Sequence, residues 1–153
     1  RPGLFMQNVF TQTALIKSDS KMVMPLRKDL PVALLDVRDT GALGARVVRD
    51  PGKFAGKTYD FTGVTTTYEE FAKVFSEVLG RPITYVAATI EQAEAGMRSR
   101  NMPDWLVLHL VAVARAGEKG AFSDEMTQPI RDIVGRAPLT TKQFVEANKA
   151  MFA

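Results

Sequence analysis

The sequence contains no cysteine, which excludes disulfides, thiolate metal sites and cysteine nucleophiles within this chain. It has a single histidine, His109. A lone imidazole cannot assemble a metal site without neighbours, and no Ser-His-acid set follows from spacing alone. His109 sits in an apolar stretch and is expected to be an interior or interface side chain with a partner. No apolar run is long: Trp105–Leu108 and Leu110–Ala114, separated by His109, fall short of roughly 30 Å of hydrocarbon. No secretory signal pattern opens the chain, and a soluble, cytoplasmic protein is expected, with no membrane partner. Charge of one sign is also missing. The 20 basic and 17 acidic residues leave a net charge of +3, with Arg27-Lys28 and Arg98-Ser99-Arg100 as the only local clusters. Such a balance makes no nucleic-acid footprint and reads as solvated surface charge.

What is present is ordinary for a globular protein: 153 residues, 46% apolar and 24% charged, enough for one domain with a core. Phe5, Val9 and Phe10 at helical spacing predict a short helix within residues 3–14. Met22-Val23-Met24-Pro25 reads as a short extended piece and Val32–Val37 as a strand. Asp39 is the candidate N-cap of a helix over about residues 40–50. Lys57–Gly63 alternates apolar with polar and predicts a strand.

Thr66 with Glu69, or Thr67 with Glu70, then opens a helix carrying Tyr68, Phe71, Phe75, Val78 and Leu79, which Gly80 and Pro82 stop. Ile83–Ala87 is the next strand. Thr89 with Gln92 opens a helix to about Ser99. Pro103 to about Ala116 is apolar on nearly every face, so it should be buried between layers or at a subunit interface. A short helical stretch after Ser123 carries Pro129 as a break, and Thr140 with Gln143 caps a last helix bearing Phe144, Ala147 and Met151. Strands separated by helices imply a helix-rich α/β fold with mostly parallel pairing.

Three candidate sites dissolve on inspection. Gly41 and Gly44 follow a strand, and Asp60 lies about 20 residues on, as in a dinucleotide fingerprint. However, Val47 stands where the third glycine should be, and a cap at Asp39 puts both glycines inside the helix, where close helix packing accounts for them. A Tyr with a Lys four residues later would supply a proton for hydride-transfer chemistry. Tyr59, Tyr68 and Tyr85 are instead followed at that spacing by Gly63, Ala72 and Thr89, which leaves them as core or pocket walls. Asp36 and Asp39, flanking Val37-Arg38, suit capping and a local ion pair. Met22, Met24, Met97, Met102 and Met126 suit gap-filling, with a Met-lined pocket for a flat apolar ligand as the alternative. No catalytic residue and no metal ligand is assigned.

Four segments, in order, carry a resemblance. Arg1-Pro2-Gly3-Leu4-Phe5-Met6-Gln7-Asn8 resembles an Arg-Pro-x-x-Phe-Met-x-Asn element, and Leu35–Asp39 an Asp-Val-x-Asp turn. Gly56–Gly63 is similar to a Gly-Lys-x-Tyr-x-Leu-Thr-Gly strand, and Leu79–Val86 completes the series, with Val134–Pro138 before the last helix. Together they resemble the NmrA-like group of atypical short-chain dehydrogenases/reductases.

The resemblance implies a parent of about 250–300 residues with an N-terminal Rossmann half that binds NAD or NADP and a smaller C-terminal portion that closes over a small-molecule substrate. It matches residues 1–153 to that C-terminal, substrate-binding portion alone. By the same resemblance Pro2 leaves a central strand near the nicotinamide, Phe5 and Asn8 line the substrate cleft, and Gln7 replaces a commoner acidic residue. The Tyr59–Thr62 strand would return to the Rossmann sheet edge, and the strands around Leu34–Val37 and Ile83–Val86 would pair. The parent is then expected to be an NAD(P)H-dependent oxidoreductase or a cofactor-ratio sensor. This chain alone, lacking an initiator Met and a phosphate loop, is expected to be an inactive fragment that holds no cofactor. Its expected partners are the missing Rossmann half or a second copy. The alternative is a free-standing self-associating module or small-ligand carrier.

Overall fold

The computed structural model describes all residues from Arg1 to Ala153 and shows a helix-rich α/β fold with two small sheets. β1 (Leu4–Phe5) pairs in parallel with β3 (Val32–Leu35), which pairs antiparallel with β4 (Val64–Thr66). β2 (Lys21–Met24) and β5 (Thr84–Ala87) form a second, parallel ladder. The expected pairing of the Leu34–Val37 and Ile83–Val86 strands is therefore corrected: each belongs to a different sheet. The short Met22–Met24 piece, not the longer Val32 strand, is the partner of β5.

Residues 57–63 are corrected too. Only Phe61 makes a ladder contact, a parallel bridge to Pro2 with Gly3 N donating to Phe61 O at 2.9 Å. The strand proper begins one residue after Gly63. A Cβ on Gly63 would run into the carbonyl of Leu34 and the Cα of Leu35. The missing side chain lets the backbone cross β3 at that point.

Helix boundaries follow local chemistry. The first helical stretch starts later than expected, because Leu4–Phe5 is strand: a 3-10 segment spans Met6–Gln12 and passes into α1 (Thr13–Asp19). α2 (Val37–Arg49) is capped by Asp36, not Asp39, and is followed by the single turn α3 (Pro51–Phe54). α4 (Tyr68–Leu79) is capped by Thr67, which accepts from Glu70 N at 3.1 Å, and ends at Gly80 with φ 71°. α5 (Ile90–Ser99) and α8 (Thr141–Ala147) open on full capping boxes, Thr89 with Gln92 and Thr140 with Gln143. Between them lie α6 (Asp104–Glu118) and α7 (Gln128–Val134). Pro129 sits in the first turn of α7 and opens that helix instead of breaking one. Asn148 separates α8 from the terminal turn α9 (Lys149–Phe152).

The main core lies between β2, β3, α4 and the C-terminal helices, filled by Met6, Ile16, Met22, Leu34 and an aromatic group. Phe75 meets Phe152 edge to face at 4.8 Å and Phe71 at 5.1 Å, and Phe71 lies 6.0 Å from Phe144. Such geometry suits the ring quadrupoles. Arg81 seals this side by donating to Ser20 Oγ at 2.6 Å, to Ile16 O at 3.0 Å and to Phe152 O at 3.1 Å. It thereby satisfies carbonyls that helix ends leave open. A smaller cluster of Leu35, Leu43, Phe61 and Ile130 lies below α2 and α7.

α6 departs from its expected burial. Val107, Ala114 and Gly117 are buried, but Trp105 and Leu108 are 71% and 60% exposed and His109 is exposed, not interior. Met126, expected as a gap-filler, is likewise exposed. No helix is long and apolar enough to cross a membrane.

Two glycine substitutions separate steric need from tolerance. Gly63→Ala should lower stability by about 2–4 kcal/mol, since backbone must move to admit the methyl. Gly41→Ala, with open space around it inside α2, should raise stability by about 0.5–1 kcal/mol. Urea midpoints at constant m-value measure both.

Candidate functional site at the first strand exit

The segment Arg1–Asn8 leaves the three-stranded sheet beside the N-terminus of α2. Asp36 ends the β3–α2 connection with its side chain fully buried. It accepts from Arg38 N at 2.9 Å as the cap and from the Arg38 guanidinium through both carboxylate oxygens, the shortest contact being 2.6 Å. Gln7 completes the arrangement. Its Nε2 donates to Asp36 Oδ1 at 3.0 Å and its Oε1 accepts from Val37 N at 3.1 Å. One amide thus answers both a buried carboxylate and an open helix N–H.

Burial pushes the Asp36 carboxyl up, but the Arg38 and Gln7 hydrogen bonds and the Arg38 charge outweigh it and hold the group below its ordinary value. The Asp36 hydrogen bonds likewise hold Arg38 above its ordinary value.

Asp39 lies one turn further along α2 and is fully buried. Oδ2 accepts from Leu139 N at 2.9 Å, and Oδ1 meets Arg136 at 2.6 Å. That approach lacks the alignment of a hydrogen bond, so it is an ion pair by distance and charge. Arg136 belongs to the Val134–Pro138 segment that joins α7 to α8.

Sequence reading put the cap at Asp39 and expected a local ion pair, whereas Asp36 both caps α2 and pairs with Arg38; it missed Gln7 and Arg136 as partners. The available signal was the departure from an acidic residue at position 7. A glutamate there would oppose Asp36, whereas an amide can donate to it.

Of the residues expected to face the cleft, Phe5 is half-buried against the Leu35, Leu43, Phe61 and Ile130 cluster, Asn8 is exposed, and Pro2 is exposed beside Phe61. All three lie along one strand exit.

The strand–helix junction at α2 does not fit a dinucleotide. Its first N–H groups are taken by Asp36 and Gln7. Asp36 and Asp39 would repel a pyrophosphate, and Gly41 and Gly44 lie inside the helix. A methyl added at either glycine would meet nothing within 4 Å, so the close helix packing expected of them is also corrected.

Tyr68 and Tyr85 are structural. Tyr68 is buried and stacks on Tyr85 at 5.7 Å, and Tyr85 donates to Leu26 O at 2.6 Å. Burial pushes the Tyr68 phenol up to about 12, the wrong direction for a proton donor near neutrality. No group of His, Asp and Glu side chains converges as a metal site.

Because the folded chain keeps Asp36 ionised to lower pH than the unfolded chain does, its contribution is complete above about pH 4. It falls away as pH drops through the folded-state pKa. Asp36→Asn should therefore be less stable than the parent by about 1–3 kcal/mol at pH 7. The difference should shrink as pH falls below about 4 and on through the lowered folded-state pKa, as followed by urea unfolding across pH.

Residues 1–148 match the NmrA-like family. Over 156 aligned positions the chain is 31% identical to an NAD(P)H azoreductase of Xenophilus azovorans, covering 99% of this chain and 52% of that protein. It is 26% identical to an agroclavine dehydrogenase of Claviceps fusiformis, covering 97% and 52%. The chain thus spans about half the length of these relatives. An Escherichia coli NADPH-dependent quinone oxidoreductase solved with NADPH superposes with a TM-score of 0.80 at 21% identity, covering 96% of this chain and 51% of that one. A Citrobacter sp. triphenylmethane reductase solved with NADP(H) gives 0.77 at 16% identity, covering 96% and 51%. These structures share the fold. By the extent of its match, the chain belongs to the NmrA-like family.

Proposed function

We propose that this chain is the substrate-binding portion of an NAD(P)H-dependent oxidoreductase whose dinucleotide-binding half is a separate stretch of polypeptide preceding Arg1. The observation that carries the reading is the α2 junction. It is the strand–helix junction ahead of Gly41 and Gly44, both of which lie inside α2, and its N-terminus is filled by Asp36 and Gln7 and lined with carboxylates. A chain related to NAD(P)H-using proteins but with that junction closed is suited to receive a cofactor held elsewhere. The relatives support the redox assignment: an azoreductase, a dehydrogenase and a butenolide-phosphate reductase, each matched over about half its length.

In this reading Pro2 abuts the nicotinamide, and Phe5 offers an apolar wall to a small-molecule substrate. Asn8 offers an amide that can both donate and accept, orienting a polar group of the substrate. Gln7, tied to Asp36 and Val37, fixes the backbone between Phe5 and Asn8. The cofactor supplies the hydride, and these residues orient its acceptor. A cofactor-ratio sensor would use the same contacts without turnover.

Titration of the Arg1–Ala153 chain with NADPH, followed by nicotinamide fluorescence, should show no saturable binding below about 1 mM, a range set by the absence of phosphate contacts. Micromolar binding would overturn the proposal. N-terminal sequencing of the natural gene product should find about 130 preceding residues with a glycine-rich βα loop. In that product Asn8→Ala should lower kcat/KM by about tenfold, the loss of one oriented hydrogen bond, without shifting Tm.

A further inference from the structure

The segment joining α6 to α7, residues 121–127, has no helix or strand of its own. Both its ends are anchored. Phe122 packs against the main core, with its carbonyl accepting from Ala33 N at 2.7 Å. Just past the other end, Ile130 is buried in the small cluster against which Phe5 also packs. Between these anchors the segment is a strap held from one side. Thr62, only 5% exposed, donates from N to Met126 O at 3.0 Å and from Oγ1 to Asp124 O at 3.1 Å. The same Oγ1 accepts from Met126 N at 2.7 Å. Thr65 N adds a bond to Glu125 Oε2 at 3.0 Å.

The second branch of Thr62 reaches the strand exit. A Cβ on Gly3 would come 2.7 Å from Thr62 Cγ2, so the methyl lies against the Gly3 backbone. One buried side chain therefore touches the Arg1–Asn8 segment with its methyl and the strap with its hydroxyl. Pro2 and Phe61 bridge in parallel, and β1 runs parallel to β3. Phe5, Leu35 and Thr62 thus lie on the same, carboxyl-terminal side, outside which α/β sheets bind their ligands. The strap is fastened there. It carries Met126, 40% exposed, beside the exposed Asp124 and Glu125. A thioether in water contributes little packing but suits contact with an aromatic ring. The flanking carboxylates disfavour an anion.

We propose that residues 123–127 form a wall of the substrate crevice at the strand exit. Thr62 is the residue that positions the wall, and Met126 is the one that touches the substrate, a flat aromatic that is neutral or cationic. This inference rests on the placing of Phe5 and Asn8 in that crevice.

The probe is N-methylquinolinium, a flat aromatic cation without a titrating group. Added to the Arg1–Ala153 chain carrying methyl-labelled methionine, it should shift the Met126 methyl resonance by ring current. The Asn8 side-chain amide should follow the same saturable curve in the low-millimolar range, as for other small aromatics. The Met102 methyl, at the α5–α6 turn, should stay in place. Met126→Ala should weaken binding, read at Asn8, at least about threefold through the lost sulfur–aromatic contact. Because Met126 is exposed, that variant keeps the fold even where a Thr62 variant lowers Tm. Thr62→Val removes the hydroxyl and keeps the methyl, so it should weaken binding as much and speed exchange of the Met126 amide. Thr62→Ser, which keeps the hydroxyl, should bind within about twofold of the parent. A naphthalenesulfonate, similar in shape and opposite in charge, should bind at least about threefold more weakly than the cation.

An Asn8 amide that shifts while the Met126 methyl does not leaves the crevice in place and overturns the wall. A Met126 shift without Asn8 supports the wall and counts against the placing of Asn8 alone. No shift at either group overturns the wall, as does a Thr62→Ser variant that binds as weakly as Thr62→Val.

Discussion

Two carboxylates removed from water at one helix N-terminus set the terms for the rest of the fold. Asp36 and Asp39 are both fully buried within one turn of α2. A buried charge without partners costs several kcal/mol, so each must be matched by charge and hydrogen bonds. The partners come from far along the chain: Gln7 from the β1 exit, Arg38 locally, and Arg136 with Leu139 N from the α7–α8 connection. Arg38 also reaches Gln143 O at 3.5 Å. Satisfying two side chains thus draws two distant segments, the β1 exit and the α7–α8 connection, onto one helix end.

This arrangement is what supports the proposed site at the strand exit. Phe5 and Asn8 flank Met6 and Gln7. Met6 is anchored in the main core and Gln7 in the carboxylate network. The two intervening residues are therefore held from both sides of the backbone, while Phe5 and Asn8 remain available. Rigid support behind exposed groups is what orientation of a substrate requires. The same carboxylates fill the α2 N-terminus, whose first N–H groups are taken by Asp36 and Gln7.

Legibility in the sequence tracked how local each cause was. The Thr67, Thr89 and Thr140 caps rest on side chains reaching three residues ahead, and their helices start where the pattern puts them, though the last ends at Ala147 and leaves Met151 to a separate turn. Asp36 and Asp39 are equally good caps by type, and only the fold decides which stays at the terminus and which turns inward to Arg136. Strand partnership was less readable still. Val23 pairs with Val86 across more than sixty residues, and nothing in four apolar residues names a partner. The all-round apolarity of α6 predicts cover on every side, but only the face bearing Val107, Ala114 and Gly117 is buried, and composition alone does not tell the faces apart. Of the candidate site, the motif around Arg1–Asn8 was readable as a unit. The reason for Gln7 was not, because its partner lies 29 residues away.

The Gln7 amide couples the strand exit to the α2 N-terminus through Asp36, and on that coupling the positioning of Phe5 and Asn8 depends. Amide hydrogen exchange in a Gln7→Leu variant tests it most directly, since leucine retains bulk and removes both hydrogen bonds. Coupling predicts that protection is lost together at Val37, Arg38 and residues 5–9, with α4 and α8 unchanged. Loss confined to Val37, with residues 5–9 protected as before, would contradict it.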